Sequence, residues 1–202
     1  MAEAITNFDD IIDSRDVIER IEDLEGELET AQGEQDEVRK AGLQDMFIEQ
    51  ADGINASADS DDGNPPATPD ETFRSVLSDP CHPLYEEAVE LMGLIDGRSL
   101  DVFVEEAAGD PRHLMYDEAT EYKALKELEE QAEGYSDWKY GAQLIRESYF
   151  KDYAQQLAED ICAVHADATW PNNCIDWDQA ARELEQDYTR VDFDGVDFLV
   201  RL

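Results

Sequence analysis

Positive charge is what this chain lacks most: 15 lysines and arginines stand against 52 aspartates and glutamates in 202 residues, a formal net charge of -37. Phosphate-bearing ligands bind by exchanging counterions for Lys and Arg, so DNA, RNA and anionic membranes are excluded as direct ligands and the expected partner is basic. There is no apolar run approaching the roughly 18 residues of a membrane-spanning helix. The opening MAEAITNFDD has neither the basic nor the apolar region of a signal peptide, and the three cysteines are an odd number. Together these predict a cytoplasmic protein with reduced thiols.

Motifs for chemistry are missing too. The sequence holds no Walker loop, no G-x-G-x-x-G after a strand, no G-x-S-x-G and no H-E-x-x-H. Acids are so numerous that close carboxylate pairs arise by chance, so none can be nominated for acid–base work. Cys162, His165 and Cys174, with Cys81 and His82, offer zinc-ligand types, but their spacing matches no paired C-x-x-C arrangement. A nucleophilic Cys–His pair is disfavoured because the surrounding negative field opposes thiolate formation. The cluster DSDDGN resembles part of a calcium loop but lacks its ligand spacing. The expectation is a non-enzyme with no catalytic residue, metal or cofactor.

What the chain does have is enough apolar content, 42% of residues, to bury a core. The charge is not confined to a tail: through Asp70 there are 21 acids and 4 bases (net -17), and beyond it 31 acids and 11 bases (net -20). Residues 16–38, DVIERIEDLEGELETAQGEQDEV, carry ten carboxylates and one base, Arg20. Along them Val17, Ile21, Leu24, Leu28, Ala31, Gln35 and Val38 recur at alternating spacings of 4 and 3, a heptad seam that predicts a parallel homodimer. Across such a pair Arg20 would face Glu25, Glu27 would face Gln32 and Glu34 would face Arg39. Asp13 or Ser14 can cap this helix, and Gly42 is expected to kink it.

Residues 1–51 therefore read as an acidic helical arm. The stretch 52–69, DGINASADSDDGNPPATP, reads as a flexible linker, and 70–202 as an acidic helical body. Thr68, Pro69 and Glu71 mark a helix start. Further helices are predicted at about 84–95, 113–133 and 148–164, the last with Tyr149, Phe150, Tyr153, Leu157 and Ile161 buried, and from Asp176 to about Tyr188. Val191, Phe193, Asp194-Gly195, Val196, Phe198 and Val200 predict a terminal hairpin with a two-residue turn. No repeat of 20–50 residues stands out. The fold class is mainly α (α+β): a coiled-coil-like helix, a helical body and a small C-terminal β-hairpin.

Three readings account for the charge. One is a solvated surface adapted to high salt, which the low lysine count, five of 15 bases, would fit. Another is a coiled-coil adaptor or structural protein whose acids keep its helices soluble. The third is nucleic-acid mimicry. Ten carboxylates over residues 16–38 fall about 3.5 Å apart along a helix, close to the spacing of phosphates on one DNA strand, and two paired helices would approach a duplex. On that reading the partner-binding surface is Glu19, Glu22, Asp23, Glu29, Asp36 and Glu37, with Asp152, Glu159, Asp160, Asp178, Glu183, Glu185 and Asp187.

The C-terminal stretches SYFKDYAQQLAEDICAV and WPNNCIDWDQAARELEQDYTRVDFDGVDFLVR resemble acidic proteins of phages, prophages and mobile elements. Within them Ile175, Asp176, Trp177, Ala181, Arg182 and Leu184 follow an I-D-[WY]-x-x-x-A-R-x-L run similar to the last part of the ArdA antirestriction proteins. That resemblance implies an elongated acidic dimer that imitates bent DNA and blocks type I restriction–modification enzymes. It supplies no catalytic residues. The expected partner is the basic DNA-binding surface of a host defence complex, with a restriction enzyme first and a CRISPR effector second.

Overall fold

A computed structural model describes residues 5–57, 66–165, 169–170 and 172–201, and its longest element is one helix, α1 (Ser14–Ser57). Asp13 starts it, its carboxylate accepting the Arg15 N–H at 2.9 Å. The Ser14 hydroxyl is used elsewhere, donating to the Trp138 carbonyl and accepting from the Ala142 N–H. Gly26, Gly33, Gly42 and Gly53 all lie inside α1, each unfavourable by about 1 kcal/mol relative to Ala. Burial of one stripe offsets this: Val17, Ile21, Leu24 and Leu28, then Gln32, Leu43, Phe47 and Ala51. The expected kink at Gly42 does not end the helix.

The stripe corrects the predicted dimer seam. Its first four positions, Val17, Ile21, Leu24 and Leu28, are covered by the chain itself. After Leu28 the stripe follows the 3.6-residue turn to Gln32 instead of the 3.5-residue heptad to Ala31. Ala31 and Gln35 are half-buried, and Val38 is 76% exposed. Spacing identified a buried face; it could not identify which chain buries it.

The chain divides into two compact units that differ from the expected arm, linker and body. One comprises Met1–Gly26 with Tyr116–Leu202, the other Glu27–Met115. The predicted linker is helical as far as Ser57, and Asn55 clasps Ala67 through two hydrogen bonds of 2.9 and 2.7 Å. Residues 58–65 of that stretch, with the DSDDGN cluster, lie outside the described residues.

In the second unit α2 (Pro69–Leu77), α3 (Tyr85–Asp96) and α4 (Leu100–Gly109) follow one another. Thr68 and Glu71 form the predicted capping box on α2. Leu43 and Phe47 of α1 pack with Val76, Ala88 and Leu91, and Phe47 meets Phe73 edge to face at 5.2 Å. The short α4 was not foreseen.

In the first unit α5 (Tyr116–Ala132) starts three residues later than predicted, and α6 (Trp138–Gly141) is a single turn. The predicted hairpin is present as β3 (Tyr188–Phe193) and β4 (Val196–Arg201), with Asp194 and Gly195 at φ 49° and 76°. It is half of a four-stranded antiparallel sheet. Strand β1 (Ile11–Asp13) and β2 (Gln143–Arg146), too short to show alternation, complete the order β1-β2-β4-β3. Helices α7 (Phe150–Asp160) and α8 (Trp177–Leu184) cover it through Ile145, Phe150, Ala154, Ala181, Tyr188 and Leu199. On the edge strand β3, the Gln131 carboxamide bonds both the N–H and the C=O of Asp192.

A repeat, missed in the sequence, joins these elements. Asp79-Pro80-x-His82-x-x-Tyr85-x-Glu87-Ala88 recurs 31 residues later as Asp110-Pro111-x-His113-x-x-Tyr116-x-Glu118-Ala119. In both copies the Asp carboxylate accepts the N–H two residues on (Cys81, Arg112; 3.0 Å). In both, the His Nδ1 accepts the N–H two residues further (Leu84, Met115; 3.1 Å). Imidazole thus closes a local turn onto the N–H two residues on, just ahead of the helix, as Asp and Ser side chains do in Asx and ST turns. Identity is concentrated in this turn while the flanking helices diverge, which hid the period.

Candidate functional site

The C-terminal carboxylates are set by two amphipathic helices. Phe150 and Ala154 turn one face of α7 to the sheet, leaving Asp152, Glu159 and Asp160 exposed. Cys162, at φ 59°, ends the helix four residues before the predicted Val164, and Ile161, expected in the buried stripe, is 67% exposed. Asp176 caps α8 by accepting the Gln179 N–H at 3.0 Å. Asp178, Glu183 and Asp187 are exposed around it and Glu185 is half-buried.

Not all of these are available as negative charge. Lys151 pairs with Asp178 at 2.8 Å and holds its carboxyl below the usual carboxylate range, chiefly through their hydrogen bond. Glu185 pairs with Arg190, which also meets Glu147 and Asp197. Glu183 accepts from the Gln179 side chain. Among the described residues no lysine or arginine pairs with Glu159, Asp160 or Asp187, and Asp152 shares Lys151 with Asp178. Glu159 and Asp160 stand in the last turn of α7, where the helix dipole is negative and no base answers them. Helices α3, α4 and α5 likewise carry no base in the last turn.

On α1, Glu19, Glu22 and Glu29 are exposed and Asp23 is half-buried. Asp36 is a correction: Arg98 binds it at 2.6 Å, binds Glu106 with its other nitrogen and stacks over the Phe103 ring. Glu37 has Lys40 at 3.7 Å. Of the thirteen nominated carboxylates, Glu29, Asp36 and Glu37 belong to the second unit and the other ten to the first.

The residues that were to set helix pairing act within the chain. Arg20 donates two hydrogen bonds to Glu121, and Arg39 two to Glu90. Gln32 donates to the Arg98 carbonyl at 2.7 Å, and Gln35 meets the His113 ring. Arg15, Arg74, Arg146 and Lys126 are also paired internally, with Asp13, Asp70, Asp10 and Glu129. Most of the scarce cations are held in pairs within the fold, and the outward field is dominated by carboxylates.

Cys81, Cys162 and Cys174 are free and exposed, and among the described residues no three His, Cys, Asp or Glu side chains gather to hold a metal ion. No described helix is long and apolar enough to cross a membrane. Nothing in the spacing of the residues points to the Arg98–Asp36–Glu106 cluster, whereas the recurring Asp-Pro-x-His turn is a signal that could have matched Glu90 with Glu121. No family model, curated protein or solved structure matches the chain.

Proposed function

We propose that this chain is a non-enzymatic inhibitor, made by a phage or mobile element, that occupies the nucleic-acid groove of a host defence complex by imitating DNA. A type I restriction–modification enzyme is the first candidate and a CRISPR effector the second. The observation that carries the reading is the carboxylate surface at α7 and α8, where among the described residues Glu159, Asp160 and Asp187 form no ion pair and Asp152 shares Lys151 with Asp178, while most of the bases are locked in internal pairs. Fixed carboxylates docked in a basic groove release counterions as DNA does, which gives affinity without base readout. Because Val17, Ile21, Leu24 and Leu28 are already covered within the chain, this seam is not free to pair two α1 helices, and the reading takes no duplex-like density from such pairing.

Competition decides it. A fluorescent duplex is bound to a purified type I restriction enzyme, and in parallel to a CRISPR effector, and this protein is titrated in at several salt concentrations. Displacement that weakens steeply with salt supports mimicry. Failure to displace DNA from either complex, or displacement indifferent to salt, overturns it. If the protein also unfolds in low salt and refolds in high, the charge is an adaptation to salt.

A further inference from the structure

The apolar surface of the second unit is organised where the sequence emphasised only charge. A cleft of about 340 Å³ opens between the end of α1, the start of α2 and the end of α3, lined by Phe47, Ile48, Pro69, Phe73, Leu91 and Ile95. Its floor is core: Phe47 and Leu91 are almost fully buried. Its lips are exposed hydrophobics, Ile48 at 44% and Ile95 at 50%. A volume near the lower end for ligand sites, open to solvent, suits one or two anchoring side chains better than an enclosed small molecule.

Exposed carboxylates neighbour its lining residues in sequence: Asp45 and Glu49 follow Gln44 and Ile48 on α1, Asp52 comes one turn after Ile48, and Asp96 follows Ile95 on α3. Asp70 lines the cleft itself, paired with Arg74. The cations on these stretches, Arg74 and Lys40, are already paired with Asp70 and Glu37. We infer that this cleft docks a basic amphipathic segment of a partner protein, apolar anchors in the groove and lysines or arginines against the rim. Charge selects this occupant. A second copy would bring its own net charge of -37 and the same acidic rim, setting like charges face to face. An anionic lipid surface is repelled for the same reason. The inference needs only the apolar floor and the acidic rim, and does not depend on imitation of DNA.

The test uses the full chain and a synthetic helical peptide of about 18 residues, leucines at i, i+3, i+4 and i+7 and lysines elsewhere, followed by fluorescence anisotropy. A second peptide replaces the leucines by alanine. The protein variant Ile48→Ser/Ile95→Ser alters exposed positions, and its thermal melt verifies that it folds. The expected result is binding of the leucine peptide, weakened by about tenfold or more both in the variant and with the alanine peptide. Equal binding of the two peptides shows attraction by the field alone and overturns the proposal. So does equal binding by the variant, or no binding at all. A concentration-dependent dimer in sedimentation, lost in the variant, assigns the cleft to a second copy and overturns it too. None of these outcomes alters displacement of DNA, so the two readings fail separately.

Discussion

Glu90 and Glu121 stand 31 residues apart, each two residues beyond a copy of the repeated segment, and each receives the two-pronged guanidinium of an arginine on α1: Arg39 and Arg20 respectively. The pairs share geometry and differ in surroundings. The Arg20 and Glu121 side chains are 11% and 19% exposed, those of Arg39 and Glu90 61% and 41%. Water screens the second pair and leaves it worth under about 1 kcal/mol, whereas hydrogen bonds to a charged group that is largely buried contribute about 1.5–3 kcal/mol. Urea unfolding should therefore show Glu121→Gln strongly destabilised and Glu90→Gln nearly unchanged. Equal losses would mean that both pairs are equally solvated.

The exposed pair has a pH signature. Its hydrogen bond to Arg39 holds the Glu90 carboxyl below its ordinary value of 4.5, and Arg15 acts likewise on Asp13. A carboxyl whose value is depressed by folding binds fewer protons folded than unfolded. Its contribution is complete above the ordinary value and is lost as pH falls through the folded one. The small stability difference between wild type and Arg39→Ala should therefore be present at about pH 7 and shrink at acid pH, as pH falls below the ordinary carboxyl value and through the lowered one. A difference of the same size at neutral and acid pH contradicts the assignment.

The glycines of α1 offer stabilisation without new contacts. A Cβ at Gly33 or Gly42 meets no atom within 4 Å, and neither residue has the left-handed backbone that favours glycine. Gly33→Ala and Gly42→Ala should each stabilise the protein by about 1 kcal/mol, through helix propensity and a less flexible unfolded chain. Thermal melts of the single and double variants measure this, and the two effects should add.

How much of this was legible depended on how far apart the interacting residues are in the chain. The capping box of Thr68 and Glu71, the Asp176 cap and the Asp194-Gly195 turn rest on groups within three residues of each other, and each was read from the sequence. The face of α1 carrying Val17, Ile21, Leu24 and Leu28 was read as well, because spacing sets a face. What covers that face was not, because a heptad looks the same against a second chain as against one's own. Asp36 reads as an exposed acid in the sequence because its partner, Arg98, lies 62 residues away. Strands β1 and β2, at three and four residues, give too few positions for alternation to show.

The end of α7 sets stability against use. Glu159 and Asp160 occupy the last turn with no base, so each adds negative charge to the negative pole of the helix, unfavourably by about 0.3–1 kcal/mol. Neutralising them as Glu159→Gln/Asp160→Asn should raise the melting temperature. If these carboxylates serve a basic groove, the same variant should displace DNA less well, and its displacement should depend less steeply on salt, because fewer charges enter the contact. Asp178→Asn provides the contrast: its carboxylate is already paired with Lys151, so losing it frees a cation and should weaken displacement without stabilising α7. A variant at Glu159 and Asp160 that gains stability and displaces DNA as well as wild type would show that the end of α7 is only a solvated face.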